Sequence, residues 1–234
     1  MGKGIIGILG GMGPEATADL YREIIRLTPA TRDQDHIPVF IYANPAIPDR
    51  TSAILQGTES PLAHLIDSAR LLERAGAGLL VIPCNTAHHY LEPLRGALTI
   101  PVLDMIAETR RHLESAWPGI GAAGLLATTG TVSIGLYQRS LEPAGLAVLV
   151  PSPAEQEGVQ DAIRTIKSGQ RRGEARAVLS QAGAALIDRG ARVVILGCTE
   201  IPLALDAENS PFPVVNPTRI LAQAAVDWAL DHSF

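Results

Sequence analysis

Val81-Ile82-Pro83-Cys84-Asn85-Thr86-Ala87-His88-His89 and Val194-Ile195-Leu196-Gly197-Cys198-Thr199-Glu200 are two versions of one pattern. Each is an apolar run with β-branched residues that breaks off at a cysteine followed by small polar residues. Such a run reads as a parallel strand buried on both faces. The cysteine then stands where the strand ends, at the carboxyl edge where open α/β sheets take their ligands. The 234 residues contain only two cysteines, and both hold this same local position.

The elements around the two stretches come in one order. Before the first, Gly4-Ile5-Ile6-Gly7-Ile8-Leu9 reads as a strand. Gly10-Gly11-Met12-Gly13-Pro14 follows as a turn, and Pro14 opens a helix with Ala16, Leu20, Ile24 and Leu27 at helical spacing. Val39-Phe40-Ile41-Tyr42-Ala43 is a second strand, and it runs into a loop over 44–51 stiffened by Pro45 and Pro48. An amphipathic helix over 62–75 delivers the chain to the Cys84 strand. Beyond it come a helix over 91–98, a short strand Ile100-Pro101-Val102-Leu103-Asp104 and a helix over 105–115.

The second half repeats this order. The stretch from Gly124 parallels the one from Gly7 at an offset of 117 residues, Cys198 follows Cys84 at 114, and Pro213-Val214-Val215-Asn216 echoes Pro101-Val102-Leu103-Asp104 at 112. Between them lie a strand Ala147-Val148-Leu149-Val150 and helices over 154–167 and 174–188. Three echoes in one order predict an α/β chain of two similar pseudo-symmetric domains, each a mostly parallel sheet flanked by helices. The first is expected over 1–103 together with a C-terminal segment from about 210 to 234, and the second over 104–209. Ligand sites favour the cleft between such domains.

Composition narrows the function. A hydrophobic share of 47% with 18% charged residues describes a globular protein with ample core, and a net charge of −5 argues against nucleic acid or an anionic membrane as partner. No run reaches the roughly 18 apolar residues of a membrane span. The opening residues lack a basic segment leading into an apolar one, so a cytoplasmic protein is expected, with both cysteines as free thiols. Zinc fits poorly, because His88 and His89 beside Cys84 do not supply a four-ligand pattern. By letter Gly2-Lys3-Gly4-Ile5-Ile6-Gly7 matches G-x-G-x-x-G, but it precedes its strand, the wrong context for a nucleotide. The turn at 10–13 reads better as a set of backbone N–H groups at a helix start, suited to a small anion such as a carboxylate. A tight turn without a ligand is the plainer alternative.

Two thiols matched in this way suit one kind of chemistry. A carbon acid held between them can lose a proton to one, as thiolate, and regain a proton from the other, as thiol. If the donor works from the opposite face, the stereocentre inverts, and a reaction that must run both ways needs two groups with exchangeable roles. An ordinary thiol is only a few per cent ionised at neutral pH, so the site should depress one of them, with helix N-termini after each cysteine and Asn85, Thr86 and Thr199 as contributors. Glu200 would oppose this if it lay close to the thiol, and the first turn of a following helix is its plainer place. His88 either orients substrate, tunes Cys84 or is a satisfied structural histidine. Arg50 offers a bidentate contact to a carboxylate or a salt bridge to Asp49. Both cysteines could also be small buried hydrophobes.

Gly10-Gly11-Met12-Gly13-Pro14, Pro83-Cys84-Asn85-Thr86-Ala87-His88 and Gly197-Cys198-Thr199-Glu200 resemble the three signature stretches of the aspartate/glutamate racemase family. The loop over 44–51 and the stretch over 125–131 resemble its aspartate racemase branch. The resemblance runs nearly end to end. It implies a two-base amino-acid racemase with no cofactor, pyridoxal phosphate included, no metal, and commonly a homodimer. It assigns Cys84 and Cys198 to proton transfer on opposite faces of Cα. Arg50 and Lys167 match positions that bind the substrate's side-chain carboxylate, and Met12, Asn44, Asn85, Thr86, Thr128, Thr131 and Thr199 match contacts around the amino acid. The implied substrate is aspartate, with glutamate as a possible second. Hydantoin racemisation, maleate isomerisation and a catalytically silent amino-acid-binding protein are the alternatives. Asn216 departs from the family pattern, where aspartate is frequent, although asparagine caps a helix equally well.

Overall fold

Burial on both faces turns the central apolar runs at 6–10, 79–81, 122–127 and 194–197 into parallel strands. The computed structural model describes residues 4–169 and 172–232, so Gly2 and Lys3 of the G-x-G-x-x-G letter match lie outside the described residues. The chain divides into two compact units, one of residues 1–108 and 218–234 and the other of residues 109–217.

In the first unit β1 (Ile6–Gly10) is flanked in parallel by β2 (Val39–Ala43) and β3 (Leu79–Val81), in the order β2-β1-β3. Successive side chains point to opposite faces. Ile6 and Ile8 therefore join Leu79 and Val81 on one face, packed with Leu20 and Ile24 of α1 (Pro14–Leu27) and with Leu221, Ala225 and Val226 of α10 (Pro217–Asp231). Leu9, Leu80 and Ile82 fill the other face against Leu65, Ala69 and Leu72 of α3 (Leu62–Arg74) and Leu91 and Leu94 of α4 (Leu91–Gly96). The strand expected over 100–104 shrinks to a single parallel bridge between Leu80 and Val102. Pro101 has no N–H to extend a ladder.

The second unit repeats the arrangement with β4 (Ala122–Ala127), β5 (Ala147–Leu149), β6 (Val194–Gly197) and β7 (Val214–Val215), all parallel, in the order β5-β4-β6-β7. β4, β5 and β6 thus correspond to β1, β2 and β3, and β7 to the bridge at Val102. Between β4 and β5, α7 (Leu136–Leu141) buries Tyr137 and Leu141 completely. The core of this unit joins Leu126, Val194 and Leu196 to Val159, Ile163 and Ile166 of α8 (Pro153–Lys167) and Leu179 and Leu186 of α9 (Arg172–Asp188). Because β7 pairs with β6, the segment that returns to the first unit begins at Thr218 and not near residue 210. The first unit also runs to Glu108, inside α5 (Met105–Ala116), whose start is capped by Asp104 accepting from the amides of Ile106 and Ala107 at 2.9 and 3.1 Å. Asn216 stands in the matching place before α10.

Candidate active site

The carboxyl edge of each sheet collects the residues singled out by sequence. In the first unit β1 ends in a turn held by Thr17, whose Oγ1 accepts from the Gly11 amide at 2.9 Å and donates to the Gly13 carbonyl at 2.8 Å. That Gly11 N–H is therefore committed inside the protein and is not one of the amides an anion could use. Met12 is buried beside it. Asn44, at the end of β2, folds over the next turn, its Oδ1 accepting from the Ala46 amide at 3.1 Å and its Nδ2 donating to Ser68 at 3.4 Å.

Arg50 is not in a loop, as the two prolines suggest, but opens α2 (Arg50–Gln56). Asp49 supplies the reason, because its carboxylate caps the helix by accepting from the Ser52 amide at 2.8 Å. The Arg50 guanidinium is buried and donates only to carbonyls, those of Ile47, Pro48 and Met12, at 3.1–3.4 Å. Its Nε has no hydrogen-bond partner, and no carboxylate pairs with it among the described residues. A buried cation left in that state is short of an anion.

Cys84 lies three residues beyond β3, and Asn85 and Thr86 beside it are buried. No α-helix starts directly after this cysteine: a 3-10 turn over Thr86–Tyr90, too tight and short to carry a strong dipole, precedes α4, where the helix expected over 91–98 forms. His88 proves to be a structural histidine. Its Nδ1 lies 2.9 Å from the Cys84 carbonyl, which can only accept, and its Nε2 accepts from the Met105 amide at 3.1 Å. That pattern requires a neutral ring with the proton on Nδ1. Burial holds its pKa below the ordinary histidine value, with Asp104 and the carbonyls of Cys84 and Leu103 pulling the other way. Among the described residues nothing hydrogen-bonds the Cys84 sulfur.

In the second unit Thr128 caps α6 (Thr129–Ser133), accepting from the Thr131 amide at 3.2 Å and donating to Thr131 Oγ1 at 3.0 Å. Gln156 of α8 braces the same turn, donating to the Ala127 carbonyl at 3.0 Å. Sequence spacing carries no signal for Gln156, because nothing local marks which α8 residue reaches β4. Cys198 follows β6 directly and is buried, as is Thr199. Glu200 does not start an α-helix. It precedes a short 3-10 turn, Ile201–Leu203, and its Oε2 accepts from the Cys198 thiol at 2.9 Å. Lys167, the last residue of α8, brings Nζ to 3.9 Å from Glu200 Oε1. Burial pushes the Cys198 thiol well above its ordinary value, the Glu200 charge adds to this, and Lys167 opposes it. Cys198 is therefore not the depressed thiol that the chemistry calls for.

The first unit thus gathers Met12, Asn44, Arg50, Cys84, Asn85 and Thr86 at one sheet edge, and the second gathers Thr128, Thr131, Lys167, Cys198 and Thr199 at the equivalent edge. The family model for Asp/Glu/Hydantoin racemases matches residues 9–225, spanning both cysteine stretches. The chain belongs to the Asp/Glu/Hydantoin racemase family. This racemase is 30% identical over 230 residues to the broad specificity amino-acid racemase RacX of Bacillus subtilis, covering 97% of this chain and 98% of that one. It is also similar in structure to the aspartate racemase of Picrophilus torridus, with TM-score 0.87, 30% identity and coverage of 97% and 94% of the two chains. A putative Asp/Glu racemase from Yersinia pestis aligns with TM-score 0.80 and 28% identity over 97% of this chain and 99% of that one. The two-sheet α/β architecture is the one shared with these two solved structures. No helix among the described residues is long and apolar enough to cross a membrane.

Proposed function

We propose that this racemase interconverts L- and D-aspartate, with glutamate as a second substrate, without a cofactor. Cys84 and Cys198 act on opposite faces of Cα, one taking the α-proton as thiolate while the other delivers a proton as thiol. The observation that carries this reading is the equivalent placement of the chain's two cysteines, each buried just past the carboxyl end of the corresponding strand in two sheets of the same order. A thiol serving only as an apolar filler has no use for a buried carboxylate at 2.9 Å, which is costly to bury.

The choice of a diacid rests on Arg50. Its buried guanidinium, with Nε unpartnered, is completed by a substrate carboxylate in a charge-assisted contact. Lys167 serves the same carboxylate while staying near Glu200. Met12, Asn44, Asn85, Thr86, Thr128, Thr131 and Thr199 line the bound amino acid. The enzyme works in the cytoplasm, where both thiols, free in the structure, stay reduced. It does so as a homodimer, for which β2 supplies a surface. β2 is an edge strand whose Phe40, Ile41 and Tyr42 remain exposed, and such edges seek a partner strand.

The test is α-deuterium exchange in D2O with each enantiomer of aspartate, glutamate and a panel of monoacids, without added cofactor. Exchange and racemisation of aspartate are expected. Cys84→Ser and Cys198→Ser should each lower racemisation by at least about 10³-fold while leaving exchange of one enantiomer detectable. Full racemisation in either variant would sink the two-thiol mechanism. Turnover of hydantoins or maleate with aspartate untouched would move the reading to another branch of the family. A thermal shift with aspartate but no exchange would make the chain a silent binder.

A further inference from the structure

Building on the two-thiol reading, we propose that Glu200 is a positioning residue that fixes Cys198 as the proton donor of the resting enzyme, so that proton abstraction begins at Cys84. The two cysteines are equivalent in the fold but unlike in their surroundings. Cys198 donates its S–H to Glu200 Oε2 at 2.9 Å, whereas among the described residues the Cys84 sulfur has no hydrogen-bond partner and no carboxylate upon it. Glu200 is 3% exposed, so its charge acts on the sulfur through a medium that screens poorly.

The groups facing that sulfur set its electrostatics. Among the described residues, Glu200, on the loop after β6, raises its pKa and Lys167, at the end of α8, lowers it. With the thiol protonated, the Glu200 carboxylate faces the Lys167 ammonium at 3.9 Å. Ionising Cys198 would place a second negative charge 2.9 Å from the first. The Glu200 backbone N–H also reaches the sulfur and favours the thiolate, but burial and the carboxylate outweigh it. In the first half-reaction the Cys84 thiolate takes the α-proton and becomes a thiol. The carbanion then takes the Cys198 proton, and Cys198 is left as a thiolate beside Glu200. That form is the high-energy one, and it regains a proton readily, either from the opposite enantiomer or from solvent. Matched thiols in unmatched settings give the two free-enzyme forms unequal populations.

Because the chain has two cysteines, ¹³Cβ-cysteine labelling gives two resonances, assigned by their loss in Cys84→Ser and Cys198→Ser, and each can be followed with pH in the absence of substrate. In the wild type the Cys198 resonance should titrate above the ordinary thiol range. Glu200→Gln keeps the size and the hydrogen-bond acceptor but removes the charge. It should lower the Cys198 midpoint by at least one pH unit, leave the Cys84 resonance unmoved and reduce racemisation by at least tenfold. Glu200→Asp, which keeps the charge, should hold the midpoint closer to wild type. A wild-type Cys198 midpoint inside the ordinary range, or one unmoved in a folded Glu200→Gln protein, overturns the inference, and the wild-type titration decides it even if the variant does not fold. Because no substrate is present, a raised and Glu200-dependent midpoint in a protein that does not racemise aspartate would refute the function and leave standing only the assignment of Cys198 as the thiol that Glu200 keeps protonated.

Discussion

Gly11 adopts a φ of +95°, and a Cβ built on it would lie 2.3–2.5 Å from the backbone of Asn44. Only glycine takes that conformation freely, and only glycine allows the end of β1 to lie so close to the end of β2. Glycine at this position is thus what lets the turn before Met12 pack against the Asn44 backbone. His88 works in a similar way one strand over, tying the Cys84 carbonyl to the amide that starts α5. His88→Phe should cost about 1–3 kcal/mol by leaving buried polar groups without their partner. The pH dependence has a definite sign. Folding depresses the His88 pKa from its ordinary 6.5, so below pH 6.5 the unfolded chain binds a proton there that the folded chain refuses. This contribution to stability is complete above pH 6.5 and is lost as pH falls toward the lower folded value. Urea unfolding at pH 7, 6 and 5 should show a stability loss in the wild type that is shallower in His88→Phe.

At the scale of elements, α9 must lie close to the strand edges it covers, and its glycines record how close. A Cβ at Gly183 would meet the Phe212 ring at 2.1 Å, while one at Gly173 meets nothing within 4 Å. Gly183→Ala should therefore destabilise by about 1–3 kcal/mol through overpacking, whereas Gly173→Ala should stabilise by about 0.5–1 kcal/mol through lower unfolded-chain entropy. Opposite shifts in melting temperature within one helix would check both. Most elements are legible in the sequence, because Leu79-Leu80-Val81 and Val194-Ile195-Leu196 are apolar on both faces and α1, α3 and α8 repeat their apolar residues at helical spacing. The helix opened by Arg50 is hidden because Pro45 and Pro48 mark a turn, and the Asp49 cap is a single residue. The 3-10 turns that come directly after the cysteines are hidden as well, since Thr86 to Tyr90 and Ile201 to Leu203 offer too few residues for a period to declare itself.

For the chain as a whole, the first unit is discontinuous, since its core is completed by α10 after the chain has built the second unit. Leu221, Ala222, Ala225, Val226 and Ala229 of α10 are fully or almost fully buried against the face that carries Ile6 and Ile8. Ending the chain at Asn216 should strip that face and unfold the first unit while the sheet of β4 to β7 persists. Hydrogen exchange would then show lost protection in β1, β3 and α1 but retained protection in β4 and β6. Loss in both units would mean that the second does not stand without the first. The sequence by itself determined the two-fold repetition, the strand before each cysteine and the equivalent placement of the two thiols, because apolar period and residue chemistry are local properties. Tertiary structure alone decided that Glu200 faces the Cys198 sulfur, that His88 is spent on Met105 and that the buried Arg50 guanidinium meets carbonyls and no carboxylate among the described residues. Those depend on which side chains meet across sequence gaps, and a meeting of that kind sets the charge and hydration of a group in ways its neighbours along the chain do not reveal.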